Sequence, residues 1–152
     1  FGSDADFEKT HNITRPISFT LLKDGKKSGI NFNGIPGGHE FNSFILAILG
    51  LAGMGKKLGG EQLIKVESVT KPLNIETYVS LSCTKCPEVI QALNIISMAN
   101  ENITTSLIDG GVFTEEVTQK NIQGVPVVYI NGEKASVGEK TIEELIDIVI
   151  NA

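Results

Sequence analysis

The sequence predicts an α/β protein made of two fused units of similar construction, the first of them incomplete. Three observations carry this. Short β-branched stretches alternate with stretches whose apolar residues recur at helical spacing. Two segments repeat one grammar: Pro16, strand, Asp24-Gly25 turn, strand, helix, and then Pro126, strand, Asn131-Gly132 turn, strand, helix. Between them the only two cysteines of the 152 residues, Cys83 and Cys86, stand two positions apart, after a strand pattern and before a helix pattern.

Taken in order, residues 1–14 are polar and read as an extended lead-in. A strand over 17–22, the Asp24-Gly25 turn and a strand over 29–33 form a hairpin. Gly34 to Gly38 break the pattern, and a helix opens near His39 or Glu40. Its apolar residues Phe41, Phe44, Ile45, Ile48 and Leu49 fall at the spacing of a core-facing helix, and Gly50, Gly53 and Gly55 end it. Residues 56–70 read as a helical connector closed by Pro72. A strand over 75–81 then leads through Cys83-Thr84-Lys85-Cys86-Pro87 into a helix reaching about Ala99, with Val89, Ile90, Leu93 and Ile96 buried. A strand over 103–108, an Asp109-Gly110-Gly111 turn and a helix over 112–121 follow. Strands over 125–130 and 134–137 flank Asn131-Gly132, a strong hairpin signal. Thr141-Ile142-Glu143-Glu144 is a capping box for a last helix that buries Ile142, Leu145, Ile146 and Val149.

The second unit, 72–152, therefore reads βαβαββα, which is the thioredoxin order. The first, 1–71 with its connector, shows only the ββα end and is expected to be degenerate or truncated at its N-terminus.

Composition narrows the function. A chain 41% hydrophobic and 20% charged can bury a core as an ordinary soluble protein does. A net charge of −5 argues against nucleic acid, which needs a basic face to displace counterions, and against an anionic membrane surface. The most apolar run, 41–54, is interrupted and short of the ~20 residues a membrane span needs. No signal peptide is evident, and a first residue other than Met reads as a fragment, so the Asn12 and Asn102 sequons carry no meaning.

In a reducing compartment a Cys-x-x-Cys pair is catalytic or metal-binding rather than a scaffold. A thiolate is the attacking species, and Cys83 at a helix N-terminus has unpaired backbone N–H groups and the positive dipole end to stabilise one. Cys86 is then placed to resolve the mixed disulfide that Cys83 forms with a partner. Two other readings stay open: a static disulfide, which would constrain only a very short loop, and a zinc site, for which only His11 and His39 could join the pair. Pro126 opens a strand, where an ordinary trans proline is tolerable; beside a Cys-x-x-Cys it reads instead as a cis proline packed on the disulfide. Gly50 to Lys57 nearly fits a phosphate-binding loop, but Lys57 replaces the Mg²⁺-binding hydroxyl and the glycines follow a helix, so they read as a helix terminus.

With these residues in hand, the chain resembles the N-terminal domain of the bacterial alkyl hydroperoxide reductase flavoprotein. The resemblance rests on Gly37-Gly38-His39-Glu40-Phe41, Glu76 through Cys83, Cys86-Pro87, Gln91-Ala92-Leu93-Asn94, Ile108-Asp109-Gly110-Gly111 and Gly124-Val125-Pro126. It implies two fused thioredoxin-like folds with the redox pair only in the second. It also implies a role in electron transfer. The chain would take electrons from the FAD- and NADH-dependent core of a longer, homodimeric cytoplasmic subunit and pass them to the disulfide of a partner peroxiredoxin. The fragment itself would hold no cofactor or metal and would not reduce peroxide alone. Residues alone make Glu40 a first-turn acid favoured by the helix dipole; the resemblance makes it an acid/base beside the cysteines. This chain carries Thr84-Lys85 where family members often carry His-Asn. The alternatives are a free-standing glutaredoxin-like protein-disulfide oxidoreductase and a non-catalytic zinc or docking module.

Overall fold

A computed structural model describes residues 5–10 and 14–152. In chain order its elements are α1 (Ala5–Thr10), β1 (Ser18–Lys23), β2 (Lys26–Asn33), a 3-10 turn (Gly38–Glu40), α2 (Phe41–Leu51), α3 (Gly60–Glu67), β3 (Leu73–Val79), α4 (Cys86–Met98), β4 (Ile103–Asp109), α5 (Thr114–Gln119), β5 (Val127–Ile130), β6 (Glu133–Val137) and α6 (Ile142–Ile150). The strands form one sheet in the order β1-β2-β4-β3-β5-β6. Central β4 pairs in parallel with both β2 and β3, and the remaining neighbours are antiparallel. The hairpin of the first unit thus continues the sheet of the second, through Ile30↔Thr105 to Asn33↔Ile108. Both hairpin turns need left-handed backbone at two successive positions. Asp24 and Gly25 (φ 52° and 76°) supply it in one, Asn131 and Gly132 (φ 50° and 84°) in the other.

The alternation of each strand decides what covers each face. Ile75, Val79, Ile103 and Val128 look towards α3, α4 and α6, where Val89, Leu93, Ile96, Leu145 and Val149 meet them. Ile30, Phe32 and Leu107 meet α2 and α4 on the same side. On the opposite side Tyr78, Ile108, Val127 and Tyr129 are covered by α5 through Val117. Each fully buried Ile or Leu contributes about 1.5–3 kcal/mol relative to exposure.

Three expectations change. The stretch read as an irregular lead-in contains the short helix α1, and residues 1–4 and 11–13 lie outside the described residues. The strand expected over 75–81 runs instead from Leu73 to Val79, because the Ser80 carbonyl turns to accept the N–H of Cys83 at 3.0 Å. The largest change is the face of α2. It buries Ser43 and Ala47 and packs Phe44 and Leu51, whereas Phe41 and Ile48 are 54% and 43% exposed. This helix is apolar on every side, so periodicity could not choose its face. Small residues chose it by allowing close approach to α4: a Cβ on Gly50 would lie 2.8 Å from Met98 Cε.

The segment before β1 is tied to the second unit by Arg15. Its Nη2 donates to Glu76 Oε2 at 2.6 Å and its Nε to Glu116 Oε2 at 2.7 Å, while Tyr78 Oη donates to Glu116 Oε1 at 2.7 Å. The guanidinium holds the Glu116 carboxyl below its ordinary value, against the opposing effect of burial. Arg15→Met removes the partner of two half-buried carboxylates, a loss of about 2 kcal/mol once solvent screening is allowed for. Because the folded Glu116 is the stronger acid, its contribution is present above the unfolded value near 4.5 and fades as pH falls through the folded one. Urea unfolding should therefore separate the variant from the parent at neutral pH and bring them together in acid.

Candidate active site

α4 begins at Cys86, with Lys85 as its cap and Pro87 in the first turn, where a missing N–H costs nothing. Cys83 lies in the loop just ahead, joined to Cys86 by a disulfide. The two sulfurs are not equivalent. Cys86 is fully buried, whereas Cys83 is only half-buried and is the one a partner can reach. The backbone N–H of Cys86, one of the donors a helix start leaves unpaired, points at Cys83 Sγ from 3.2 Å. That contact favours negative charge on Cys83 when the bond opens. The Lys85 ammonium is exposed and 3.6 Å from Glu139, so its effect on the thiol is small.

The loop before β5 supplies the other wall. Its Val125–Pro126 peptide is cis, Pro126 is buried, and the Val125 carbonyl oxygen lies 3.9 Å from Cys83 Sγ.

Glu40 comes from the first unit and is fully buried. Its 3-10 turn is docked on the redox loop, where the His39 N–H donates to the Leu81 carbonyl at 2.9 Å. Gly38 allows this approach: at φ 53° any Cβ would stand 2.5 Å from that same carbonyl oxygen. The Ser43 hydroxyl donates to Glu40 Oε1 at 2.7 Å, and Gln91 Nε2 of α4 donates to Ser43 Oγ at 3.2 Å. Glu40 Oε2 has no hydrogen-bond partner among the described residues. Burial pushes the carboxyl above its ordinary value, and Ser43 pulls it partly back. Cys83, Cys86 and Val125-Pro126 are thus in contact, and Glu40 reaches them through Leu81 on one side and the α2–α4 seam on the other. The sequence reading does not reach Ser43, and it holds Gln91 only as part of a motif. The one local signal was the three-residue spacing from Glu40 to Ser43, one helical turn.

His39 is exposed and His11 lies outside the described residues. The glycines at 50–55 end α2, with Gly53 and Gly55 at φ 85° and 106°, so they frame a helix C-terminus. A phosphate loop needs a helix N-terminus, and these residues do not fit a nucleotide.

The thioredoxin domain family matches residues 73–150. The chain is 43% identical over 135 residues to the F subunit of alkyl hydroperoxide reductase in Staphylococcus aureus (strain Mu50), covering 89% of this chain and 26% of that protein. It is 42% identical over 139 residues to a protein named NADH dehydrogenase in Ferdinandcohnia aciditolerans, covering 91% and 27%. It therefore spans about a quarter of the length of these curated relatives. Among solved structures, the NTD N/C domain of alkylhydroperoxide reductase AhpF from Enterococcus faecalis superposes with a TM-score of 0.89 at 34% identity, covering 96% of this chain and 70% of that one. Fold and site define a thioredoxin-like disulfide oxidoreductase domain. Within that class, the chain belongs to the family of N-terminal domains of the alkyl hydroperoxide reductase flavoprotein, AhpF.

Proposed function

We propose that this chain carries electron pairs from the flavoprotein core of a longer subunit, served by FAD and NADH, to the disulfide of a peroxiredoxin in a cytoplasmic hydroperoxide-removing system. Residues 1–71 and 72–152 are its two thioredoxin-like units, and the full subunit is a homodimer. FAD and NADH have no site among the residues described above, so their chemistry belongs to that core. The family names carried by the relatives support the partner and the cofactors.

One observation carries the assignment of roles: the half-exposed Cys83 receives the N–H of the buried Cys86. In the reduced chain the Cys83 thiolate attacks one sulfur of the partner's disulfide. A Cys83–partner bond forms as the partner's own S–S bond breaks, and the leaving sulfur departs as a thiolate that takes up a proton. Cys86 then gives its proton to Glu40, and its sulfur attacks Cys83. The Cys83–Cys86 bond forms and the partner leaves fully reduced, two electrons richer. The cis Val125–Pro126 peptide leaves the Val125 backbone beside Cys83 for the incoming chain to pair with. A dithiol of the parent subunit returns the pair to its reduced state.

The test mixes the pre-reduced chain with an oxidised peroxiredoxin and, separately, with insulin. Reduction of the peroxiredoxin at least about tenfold faster than that of insulin is expected. Equal rates would favour the free-standing general oxidoreductase instead.

A further inference from the structure

We propose that Ser43 and Gln91 are a positioning pair that decides which oxygen of Glu40 handles the thiol proton, an inference that rests on Glu40 acting as the acid/base. The Gln91 amide nitrogen can only donate, so at 3.2 Å it occupies a lone pair of Ser43 Oγ. The single Ser43 proton is thereby turned to Glu40 Oε1, 2.7 Å away. A carboxylic acid that accepts on one oxygen carries its own proton on the other. That other atom, Oε2, is buried and free of any hydrogen bond among the described residues, so it is the atom that exchanges with a cysteine.

The pair is built into the helix packing. Ser43 is fully buried on α2, and Gln91 is half-buried on α4, five residues beyond Cys86. Gln91 closes one end of a cavity of about 270 Å³ between the two helices, which Ala47 and Gly50 also line. Helix α2 carries no ionisable side chain. The 3-10 turn adds His39; the redox loop and the start of α4 add Cys83, Lys85, Cys86 and Glu88; the rim of the cavity adds Lys56. His39, Lys56, Lys85 and Glu88 are exposed, and none of the six hydrogen-bonds to Glu40. Ser43 is therefore the one polar group that tunes this carboxyl.

The experiment measures oxidation of the reduced chain by 5,5′-dithiobis(2-nitrobenzoate) against pH, together with ¹³C titration of the Glu40 carboxyl. The variants are Ser43→Ala, Ser43→Thr, Gln91→Met, Glu40→Gln and the Ser43→Ala/Glu40→Gln double. Losing the Ser43 hydrogen bond leaves burial unopposed, so the Glu40 midpoint should rise by about one pH unit, and exchange at neutral pH should slow about tenfold. The alkaline plateau should be kept. Gln91→Met should shift both in the same direction by less, Ser43→Thr should restore them, and Ser43→Ala should have no effect in the Glu40→Gln background. An unchanged midpoint in Ser43→Ala, or an equal loss in both backgrounds, overturns the positioning role while leaving Glu40 in place. If Glu40→Gln itself exchanges with the parent's pH profile, the acid/base reading falls and the positioning pair falls with it.

Discussion

Replacing Cys83 with serine should leave a folded chain with no exchange above background, whereas replacing Cys86 should stop the cycle one step later. The difference follows from exposure. Cys83 is the sulfur a partner can touch, and a serine hydroxyl there neither ionises nor attacks at neutral pH. Cys86 has no access to solvent, so it serves only to free Cys83 from the partner. Without it the Cys83–partner bond persists, and a covalent adduct should accumulate that intact-mass measurement detects and dithiothreitol reverses. Cys83→Ser should form none. The two variants should differ in stability as well. Cys86 sits among Ile30, Phe32, Val79 and Ile90, and a hydroxyl placed there without a partner costs about 1–3 kcal/mol. Adduct formation by Cys83→Ser, with none by Cys86→Ser, would reverse the assigned roles.

The contrast between the two units shows what a sequence can carry. In 72–152 nearly every signal is local. Val89, Ile90, Leu93 and Ile96 fall on one helical face and are buried as expected. Asn131-Gly132 turns, and Thr141 with Glu144 caps α6 by reciprocal hydrogen bonds of 3.2 and 2.8 Å. The fold of this unit was legible because local pattern and tertiary packing agree. In the first unit they part. The face of α2 was settled by its distance from α4, a long-range quantity that an all-apolar helix does not encode in its period. The same seam hid Ser43 and Gln91, which lie 48 residues apart and meet only because the helices do. The extension of the sheet through β2 and β4 is likewise invisible to periodicity, since parallel pairing leaves no turn to read. Glu40 was placed at the site by family resemblance rather than by any property of its own neighbourhood in the chain.

Glu40→Gln should slow exchange by about 10²-fold or more and, in the same protein, change how stability depends on pH. The amide occupies nearly the volume of the acid and keeps an oxygen to accept from Ser43, but it can neither take the Cys86 proton nor return it. The stability effect follows from the direction of the shift. Burial raises the folded carboxyl above its unfolded value of about 4.5, so the folded state holds its proton over a range where the unfolded state has lost it. Stability therefore falls as pH rises from the unfolded value through the folded one, and the full penalty persists above it. Glutamine carries no such penalty, although its amide leaves a buried donor unpaired at a pH-independent cost of about 1–3 kcal/mol. Denaturant unfolding across this range should show the parent losing stability relative to the variant as pH rises, by the amount of the Glu40 shift. A constant difference between them would mean that Glu40 titrates like an exposed acid and is no proton store for the thiols. A closing gap with unchanged exchange would mean that the raised acidity constant is a by-product of burial. Both the slope and the rate must change for the buried carboxyl to be a destabilising group retained for its chemistry.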